Sequence, residues 1–462
     1  MKAWWKEAVV YQIYPRSFAD SNGDGIGDLP GITSKLDYLA NLGIDVLWLS
    51  PIFASPNDDN GYDISDYRAV MREFGTMADF DRLLAGVHER GMKLILDLVV
   101  NHTSDEHPWF IESRRSTDNA KRDWYIWRPP RTDSAAGEAT AGQGRGAEPN
   151  NWASFFSPSA WEYDEATGEY YLHLFSKKQP DLNWENAAVR DEIYDMMRFW
   201  LDKGADGYRM DVINFLAKPP GLPDAAPSSL DALQNPPPRY IFPGGLIANQ
   251  PGMHEILQEM HRTVLTDYDI MTVGECHFIT PDDAVDYVNP NRGELDMVFQ
   301  FDTLRAEGNI DGLKRAVGRW YETLKDRGHN TISFANHDVP RQVSRFLAAA
   351  PGGTAAGGGA ESGGAAPGGA GTGGTAPGGA AGSEDVAAPD ADHRHRTAAA
   401  KLLHTAVLTL PGTPFLYQGD EIGMTNVFLA SIEDYRDIET IHRYRQEIER
   451  GVTAEEARAA VA

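Results

Sequence analysis

The sequence predicts a (β/α)8 TIM barrel with a small domain inserted after its third strand. Three observations lead there. Eight short apolar runs rich in β-branched and aromatic residues recur along the chain. Amphipathic stretches with helical period, such as ITSKLDYLANLG, FDRLLAGVHERG and VRDEIYDMMRFWLDKG, fall between most of them. Such alternation implies parallel strands joined by helical crossovers, and eight repeats favour a closed barrel over an open sheet. One gap, of ~70 residues after the third run, is too long for an ordinary barrel connection and reads as an insertion.

In chain order the expected strands are VVYQIYPRSF (9–18), VLWLSPI (46–52), LILDLVV (94–100) and GYRMDVI (207–213). They continue with IMTVGEC (270–276), MVFQF (297–301), TISFANHD (331–338) and PFLYQGDE (414–421). The long gap is crowded with aromatics (WYIW, NNWASFF, WEYDEATGEYYLHLF), and GEYYLHLF has the alternation of a β-hairpin arm. The expected division is barrel over 1–103, inserted domain over 104–175, and barrel again over 176–462. Within the last part, 348–390 is expected to be a flexible Gly/Ala-rich insertion, because it has no apolar periodicity and nothing to bury. A shorter tract of the same kind covers 131–149.

Charge and cysteine content narrow the classes of function. The chain has 462 residues, 42 Lys+Arg and 68 Asp+Glu, for a formal net charge of −26. A surface so acidic repels phosphate backbones and anionic lipid headgroups, which argues against nucleic-acid and membrane-surface partners. The single cysteine, Cys276, excludes an internal disulfide framework and fits a reducing compartment. No apolar run approaches ~18 residues, and Glu7 interrupts the start where a signal peptide needs apolar chain. A cytoplasmic protein is expected, with a monomer as the working oligomeric state.

In a barrel the polar groups at the C-terminal ends of the strands face the substrate. Here those groups are Asp97, Asn101 and His102 at the third strand, Arg209 and Asp211 at the fourth, Glu275 at the fifth, and Asn336, His337 and Asp338 at the seventh. Holding carboxylates together is costly, and their repulsion raises the pKa of at least one. Glycoside cleavage with retention gives a reason for the cost: two carboxyls about 5–5.5 Å apart serve as nucleophile and general acid/base. Arg209, two residues before Asp211 on the same strand face, is expected to hold Asp211 ionised and lower its pKa. Taken singly, each acid reads first as an ordinary capped or paired loop carboxylate; together at corresponding strand ends, with Arg209 beside Asp211, that reading weakens.

The motifs WWKEAVVYQIYPRSFADSNGDGIGDLPGI, NGYDISDY, DLVVNHTS, QPDLNW, DGYRMDVINF, VGEC, FANHD and GTPFLYQGDEIGMTN stand in this order from Trp4 to Asn426. In them the chain resembles the α-amylase superfamily, glycoside hydrolase family 13, and within it the oligo-1,6-glucosidase and α-glucosidase group. The resemblance implies Asp211 as nucleophile, Glu275 as general acid/base and Asp338 as the third carboxylate, stabilising an oxocarbenium-like transition state. It implies that Asp63, His102, Arg209 and His337 line the pocket for the departing glucose, with Tyr62 stacking on its ring. Phe175 and Gln179, before and in QPDLNW, join the substrate-binding set, as does Val212. A Val after the nucleophile goes in this family with α-1,6 linkages and Ala or Thr with α-1,4, although Val is also simply a good strand residue.

Asp20-Ser-Asn22-Gly-Asp24-Gly-Ile26-Gly-Asp28 repeats the start of an EF-hand loop, with side-chain oxygens at positions 1, 3, 5 and 9 and a backbone carbonyl, that of Ile26, at 7. Position 12 is Gly31 rather than Glu, so an EF-hand is excluded. In the resembled group this loop binds a structural Ca2+; a metal-free Asp/Gly turn is the alternative. Other features are expected to be inert: the sequon at Asn101, the His393/His395 pair, the thiol of Cys276 and the Glu-rich final helix.

Members of the group continue past GTPFLYQGDEIGMTN into a segment of the form RDNARTPMQWD, a last barrel helix and a C-terminal β-sandwich. The sequence in hand stops at Ala462 without these, so a C-terminally truncated barrel is expected. The loss should leave Asp63 without an arginine partner and one apolar strand face uncovered. The expected function is a retaining exo-acting α-glucosidase that releases glucose from isomaltose and isomalto-oligosaccharides. An α-1,4-glucosidase, a transglucosidase or a sucrose isomerase is the alternative within the class. Outside it stands a non-enzymatic scaffold, either an inactive truncated barrel or a relative of the transporter heavy chains.

Overall fold

The computed structural model describes all residues except 1–2, 132–146, 157, 230, 232–237, 307–309, 349–388, 428, 430 and 462. Nearly all of the expected Gly/Ala-rich insertion, and most of the shorter tract, therefore lie outside the described residues.

Eight parallel strands form the main sheet. In chain order the strands of the molecule are β1 (Val10–Ile13), β2 (Val46–Leu49), β3 (Phe53–Ala54), β4 (Asp66–Val70), β5 (Lys93–Leu98), β6 (Trp127–Arg128) and β7 (Trp161–Asp164). Then follow β8 (Glu169–Leu172), β9 (Gly207–Met210), β10 (Met271–Gly274), β11 (Met297–Val298), β12 (Thr331–Ile332) and β13 (Thr413–Tyr417). The main sheet runs β11-β10-β9-β5-β2-β1-β13-β12. Its two ends meet through side chains: Thr331 Oγ1 donates to the Val298 carbonyl at 2.9 Å, and the Gln300 amide donates to the Thr331 carbonyl. Each strand of the main sheet overlaps one of the eight runs read from the sequence, with β5 and β13 starting one residue earlier, at Lys93 and Thr413. The first run is shorter than expected, because Pro15 opens a helical turn, Pro15–Phe18, and ends β1.

The two-residue period of a strand sorts the side chains into two layers. Val10, Val46, Trp48, Ile95, Met271, Val273 and Met297 pack together inside the barrel. Their strand neighbours Tyr11, Leu47, Leu49, Leu94, Leu96, Tyr208 and Met210 belong to the outer core beneath the helices. Two residues beyond Ile95 and Val273, the lumen-facing positions become Asp97 and Glu275. Gly207 starts β9 where a Cβ would stand 1.9 Å from the Met271 carbonyl, so only glycine lets β9 and β10 pair there.

Between β5 and the helix Ala187–Lys203 stands a separate three-stranded antiparallel sheet, β6-β8-β7. Its hairpin pairs Trp161 with Leu172 and Asp164 with Glu169. Lys218, on the segment after β9, ties this region to the barrel. Its ammonium donates to Asn101 Oδ1 at 2.9 Å and the Phe215 carbonyl at 2.6 Å, and pairs with Asp181 Oδ2 at 2.8 Å.

After β13 the chain continues into the helices Ile438–Glu449 and Ala454–Ala459. The expected bare strand face is not found on β13, which is buried or half-buried throughout. Exposed apolar side chains lie instead on the preceding helix and the following loop: Leu402, Leu408, Ile422 and Val427. No described helix is long and apolar enough to cross a membrane.

Candidate active site

At the C-terminal mouth of the barrel a single guanidinium joins three carboxylates. Strand register sets Asp97 beside Arg209, and Arg209 beside Val273. Arg209 Nη1 donates to Asp97 Oδ1 at 2.9 Å and to Asp211 Oδ1 at 2.6 Å, while Nη2 donates to Glu275 Oε2 at 2.7 Å. The guanidinium is 2 % exposed, and its Nε has no hydrogen-bond partner. One buried positive charge facing three acids leaves the cluster short of cation, and such a cluster retains protons.

The direction of the shifts corrects the expectation for Asp211. Burial pushes its carboxyl well above the usual range; Arg209 opposes this, but Glu275 and Asp97 add to it. Burial works on Glu275 in the same sense, yet Arg209, a hydrogen bond from His277 and the Val212 amide outweigh it and hold Glu275 low. Asp97 is raised by burial, only partly offset by Arg209. Arg209 does touch Asp211, as the spacing suggested, but it is shared three ways. Burial and repulsion thus favour the neutral form of Asp211, while Arg209 and His277 favour the ionised form of Glu275.

Val212 is the strained residue of the site. It adopts φ +35°, a left-handed conformation that is an outlier for a β-branched side chain. That turn aims its amide at Glu275 Oε2, 3.1 Å away. Glu275 Oε1 faces His277 Nε2 at 3.1 Å.

The third carboxylate on the guanidinium is Asp97, whereas the sequence reading placed Asp338 in the acid trio. Asp338 is 46 % exposed and is held by its neighbours, Asn336 and His337. A relay links it to the cluster. Gln12 Nε2 donates to His337 Nδ1 at 2.8 Å, and His337 Nε2 lies 2.6 Å from the Tyr62 hydroxyl. The Tyr62 hydroxyl in turn donates to Asp97 Oδ2 at 3.2 Å, as does Trp48 Nε1 at the same distance. The rings of Tyr62 and His337 lie parallel, 1° apart, with centroids at 5.5 Å.

Asp63 is not left without partners. Its carboxylate accepts from Ser55 Oγ at 2.8 Å and from the amides of Asp58 and Asp59 at 2.9 and 3.0 Å. Burial nonetheless raises its pKa, because these donors only partly replace water. Beside it, Asp59 is pushed up to about 7 by burial, despite a bond from Gln179, with Asp63, Asp437 and Asp58 adding repulsion. Gln179 Nε2 bridges Asp59 Oδ2 (2.8 Å) and His102 Nε2 (3.1 Å). His102 is fully buried, and burial lowers it to about 4, so the ring is neutral near pH 7. Phe175 packs on His102 at 5.1 Å and stacks on Phe155 at 4.8 Å, giving the pocket an aromatic side.

Sequence reasoning left three participants out of its site: Asp97 as a partner of Arg209, His277 on Glu275, and Gln12 on His337. Strand parity alone points to Asp97 and Gln12, two residues beyond the lumen-facing Ile95 and Val10. His277 follows Glu275 by two residues and carried no separate signal. Of the features expected to be inert, Asn101 and Cys276 are fully buried, and burial raises the thiol pKa well above its usual value.

The loop from Asp20 to Asp28 is folded on itself. Asp20 accepts from the amides of Asn22, Gly23 and Gly25, and Asp24 from Ile26 and from Asn22 Nδ2. Asp28 accepts from Ser21 Oγ at 2.7 Å and from the Gly31 amide at 2.6 Å, capping the helix Leu29–Ser34. Hydrogen bonds from Gly25 and Gly23 lower the Asp20 pKa. The potential donors are all oxygens, as a hard cation requires, and the Ile26 carbonyl adds to them. Among the described residues no three His, Cys, Asp or Glu side chains are already gathered around one point.

The alpha-amylase catalytic-domain family matches residues 12–352 and 386–461. The chain is 52 % identical over 459 residues to an oligo-1,6-glucosidase of Parageobacillus thermoglucosidasius, covering 97 % of this chain and 70 % of that protein. It is 47 % identical to an alpha-glucosidase of Pediococcus pentosaceus, covering 96 % and 70 %. Among solved structures, the trehalulose synthase of Pseudomonas mesoacidophila is similar with a TM-score of 0.80 at 41 % identity, covering 99 % of this chain and 73 % of that one. The trehalose-6-phosphate hydrolase of Bacillus licheniformis gives 0.78 at 41 % identity, covering 100 % and 73 %. The chain belongs to the alpha-amylase family of glycoside hydrolases.

Proposed function

We propose that the chain is a retaining, exo-acting α-glucosidase that hydrolyses α-1,6-glucosidic bonds of isomaltose and short isomalto-oligosaccharides from the non-reducing end. The observation that carries this is the Arg209 fork, which holds Asp211 and Glu275 in one buried cluster at the barrel mouth. The oligo-1,6-glucosidases among the relatives supply the linkage, and Val212 agrees with it.

In the first step an Asp211 oxygen attacks the anomeric carbon while Glu275 gives its proton to the glycosidic oxygen. The C–O bond to the leaving sugar breaks and a covalent glucosyl ester forms. In the second, Glu275 takes a proton from water, the hydroxide adds to the anomeric carbon, and Asp211 leaves. Two inversions give net retention. The chemistry needs Asp211 ionised and the proton on Glu275 when the sugar is bound. Positive charge developing at the anomeric carbon in the transition state is then stabilised by ionised Asp211. Asp97 then balances Arg209 as Asp211 is consumed. Neutral His102, Asp63, Tyr62 and His337 offer hydrogen bonds to hydroxyls, Phe175 and Gln179 complete the wall, and Asp338 binds hydroxyls from the rim.

Isomaltose, maltose and sucrose, each incubated with the enzyme and with Asp211→Asn, test the proposal through glucose release. Isomaltose should be cleaved fastest, and only by the enzyme with Asp211 intact. No release from any sugar would falsify the hydrolase, and faster maltose cleavage would overturn the linkage. The likeness to a trehalulose synthase makes transfer the second reading. A disaccharide product from sucrose instead of free glucose would favour it.

A calcium ion held by Asp20, Asn22, Asp24, Asp28 and the Ile26 carbonyl belongs to the same proposal, with a role in stability rather than chemistry. Chelator should lower the melting temperature, and added Ca2+ should restore it. A melt indifferent to both would remove the ion. Action in the cytoplasm belongs to the same proposal, and the free thiol of the one cysteine, Cys276, is consistent with it.

A further inference from the structure

The two oxygens of Glu275 are not equivalent. Oε2 accepts from Arg209 Nη2 at 2.7 Å and from the Val212 amide at 3.1 Å. Both groups are donors without acceptor capacity, so both lone pairs of Oε2 are taken. The proton that Glu275 passes to a glycosidic oxygen is therefore carried on Oε1. Among the described residues Oε1 has one hydrogen-bonding neighbour, His277 Nε2 at 3.1 Å.

The surroundings fix that ring. Asn214 is fully buried and grips the backbone of His277 twice. Its amide nitrogen donates to the His277 carbonyl at 2.7 Å, and its oxygen accepts from the His277 amide at 3.1 Å. The imidazole stacks on Phe301 with centroids 4.5 Å apart and lies 5.6 Å from Phe215. Next in the chain, Phe278 takes a left-handed φ of +57°, as Val212 does beside the other oxygen. Both are outliers for bulky or β-branched side chains. Strain at both contacts of one carboxyl marks a geometry that its surroundings hold against a local cost.

An imidazole suits an oxygen that gains and loses a proton. Its Nε2–H donates to the carboxylate, and the other tautomer accepts from the acid. The charged and titratable groups facing Glu275 are Arg209 and Asp211 from β9 and its end, Asp97 from β5, and Cys276 and His277 on its own segment. Burial opposes charge on Glu275, and after Arg209 the bond from His277 does most to favour it.

We propose that His277 is a positioning residue for the general acid/base: it fixes the Glu275 carboxyl from the Oε1 side and serves that oxygen in both its protonated and its ionised form. The role rests on the glucosidase reading above, in which Glu275 gives and retakes the proton. In the first step the proton leaves Oε1 for the glycosidic oxygen, and Nε2–H steadies the carboxylate left behind. In the second Oε1 takes a proton from water, and His277 ends as it began.

His277→Phe and His277→Gln separate the hydrogen bond from the packing. Phenylalanine keeps a ring against Phe301 without the nitrogen, whereas glutamine loses the ring and restores an N–H at similar reach. Isomaltose and p-nitrophenyl α-glucoside are the substrates, because nitrophenolate leaves with little acid help and glucose does not. In His277→Phe, kcat/KM for isomaltose should fall by about tenfold or more, and far less for the aryl glucoside, whose turnover also verifies the fold. With the aryl glucoside, hydrolysis of the glucosyl ester limits kcat. Asp211 is then esterified, and the acid limb of kcat follows Glu275 alone. Losing a bond to the ionised form should move that limb up by about one pH unit in His277→Phe. His277→Gln should bring it back toward its original place. An acid limb that stays put, an equal loss on both substrates, or equal displacement in the two variants would each overturn the role. An unmodified protein that cleaves neither substrate would remove the hydrolase reading and this role with it.

Discussion

Two buried cations stand at the same end of the barrel, and they are partnered in opposite ways. Lys218 meets one carboxylate, Asp181, and two neutral oxygens, so its charge is matched and its three donors are used. Arg209 meets three carboxylates and leaves its Nε without a partner. A matched buried pair makes a rigid tie, here between the barrel and the region of the inserted sheet. A cation outnumbered by acids forces a proton to remain in the cluster, and the left-handed Val212 beside it adds backbone strain. The balanced cation builds the scaffold. The unbalanced one crowds Asp97, Asp211 and Glu275 around a single charge, and burial raises the pKa of Asp97 and Asp211 there.

The sharpest way to break this contrast is Glu275→Gln. It removes the proton donor while retaining shape, and kcat for isomaltose should fall by about 10²–10⁴-fold with a small change in melting temperature. A large loss of stability with activity retained would reverse the assignment of roles. Lys218→Met should do the opposite. It leaves Asp181 buried and unpaired, at a cost of about 3–5 kcal/mol, read by denaturant unfolding. Protein that survives should keep most of its kcat, and a kcat loss as deep as that of Glu275→Gln would place Lys218 in the chemistry.

A smaller effect sharpens the comparison through pH. Asp59 is raised to about 7, so the folded state binds its proton more tightly than the unfolded chain, where a carboxyl titrates near about 3.9. Ionising it therefore costs stability. The cost is absent below the unfolded value, grows as pH rises through this window, and is constant above it. Asp59→Asn should gain melting temperature over the unmodified protein as pH is raised from about 4 to about 8. Parallel profiles for the two proteins would show that Asp59 ionises without penalty.

Much of the barrel was legible because its signals are local. Short apolar runs mark strands by composition, and eight of them alternate with helices whose apolar residues repeat with helical period. The lumen-facing positions also follow from parity, so the site's place at the strand ends could be read directly. Asp211, Glu275 and Arg209 were found this way and do meet. The extent of the first run was not legible, since Pro15 ends β1 inside an otherwise strand-like stretch.

The sequence by itself determined which residue types crowd the barrel mouth, because strand period and order are properties of the chain. It could not determine how one guanidinium is divided. Arg209 seemed to belong to Asp211, its near neighbour in sequence, yet Asp97 shares Nη1 with Asp211, and Glu275, from another strand, takes Nη2. Nor could it place Asp338, which bonds to its own neighbours at the rim, or satisfy Asp63, whose donors are the amides of a tight turn. Protonation and partnership depend on burial and on distances between groups far apart in sequence, and both exist only once the strands have closed.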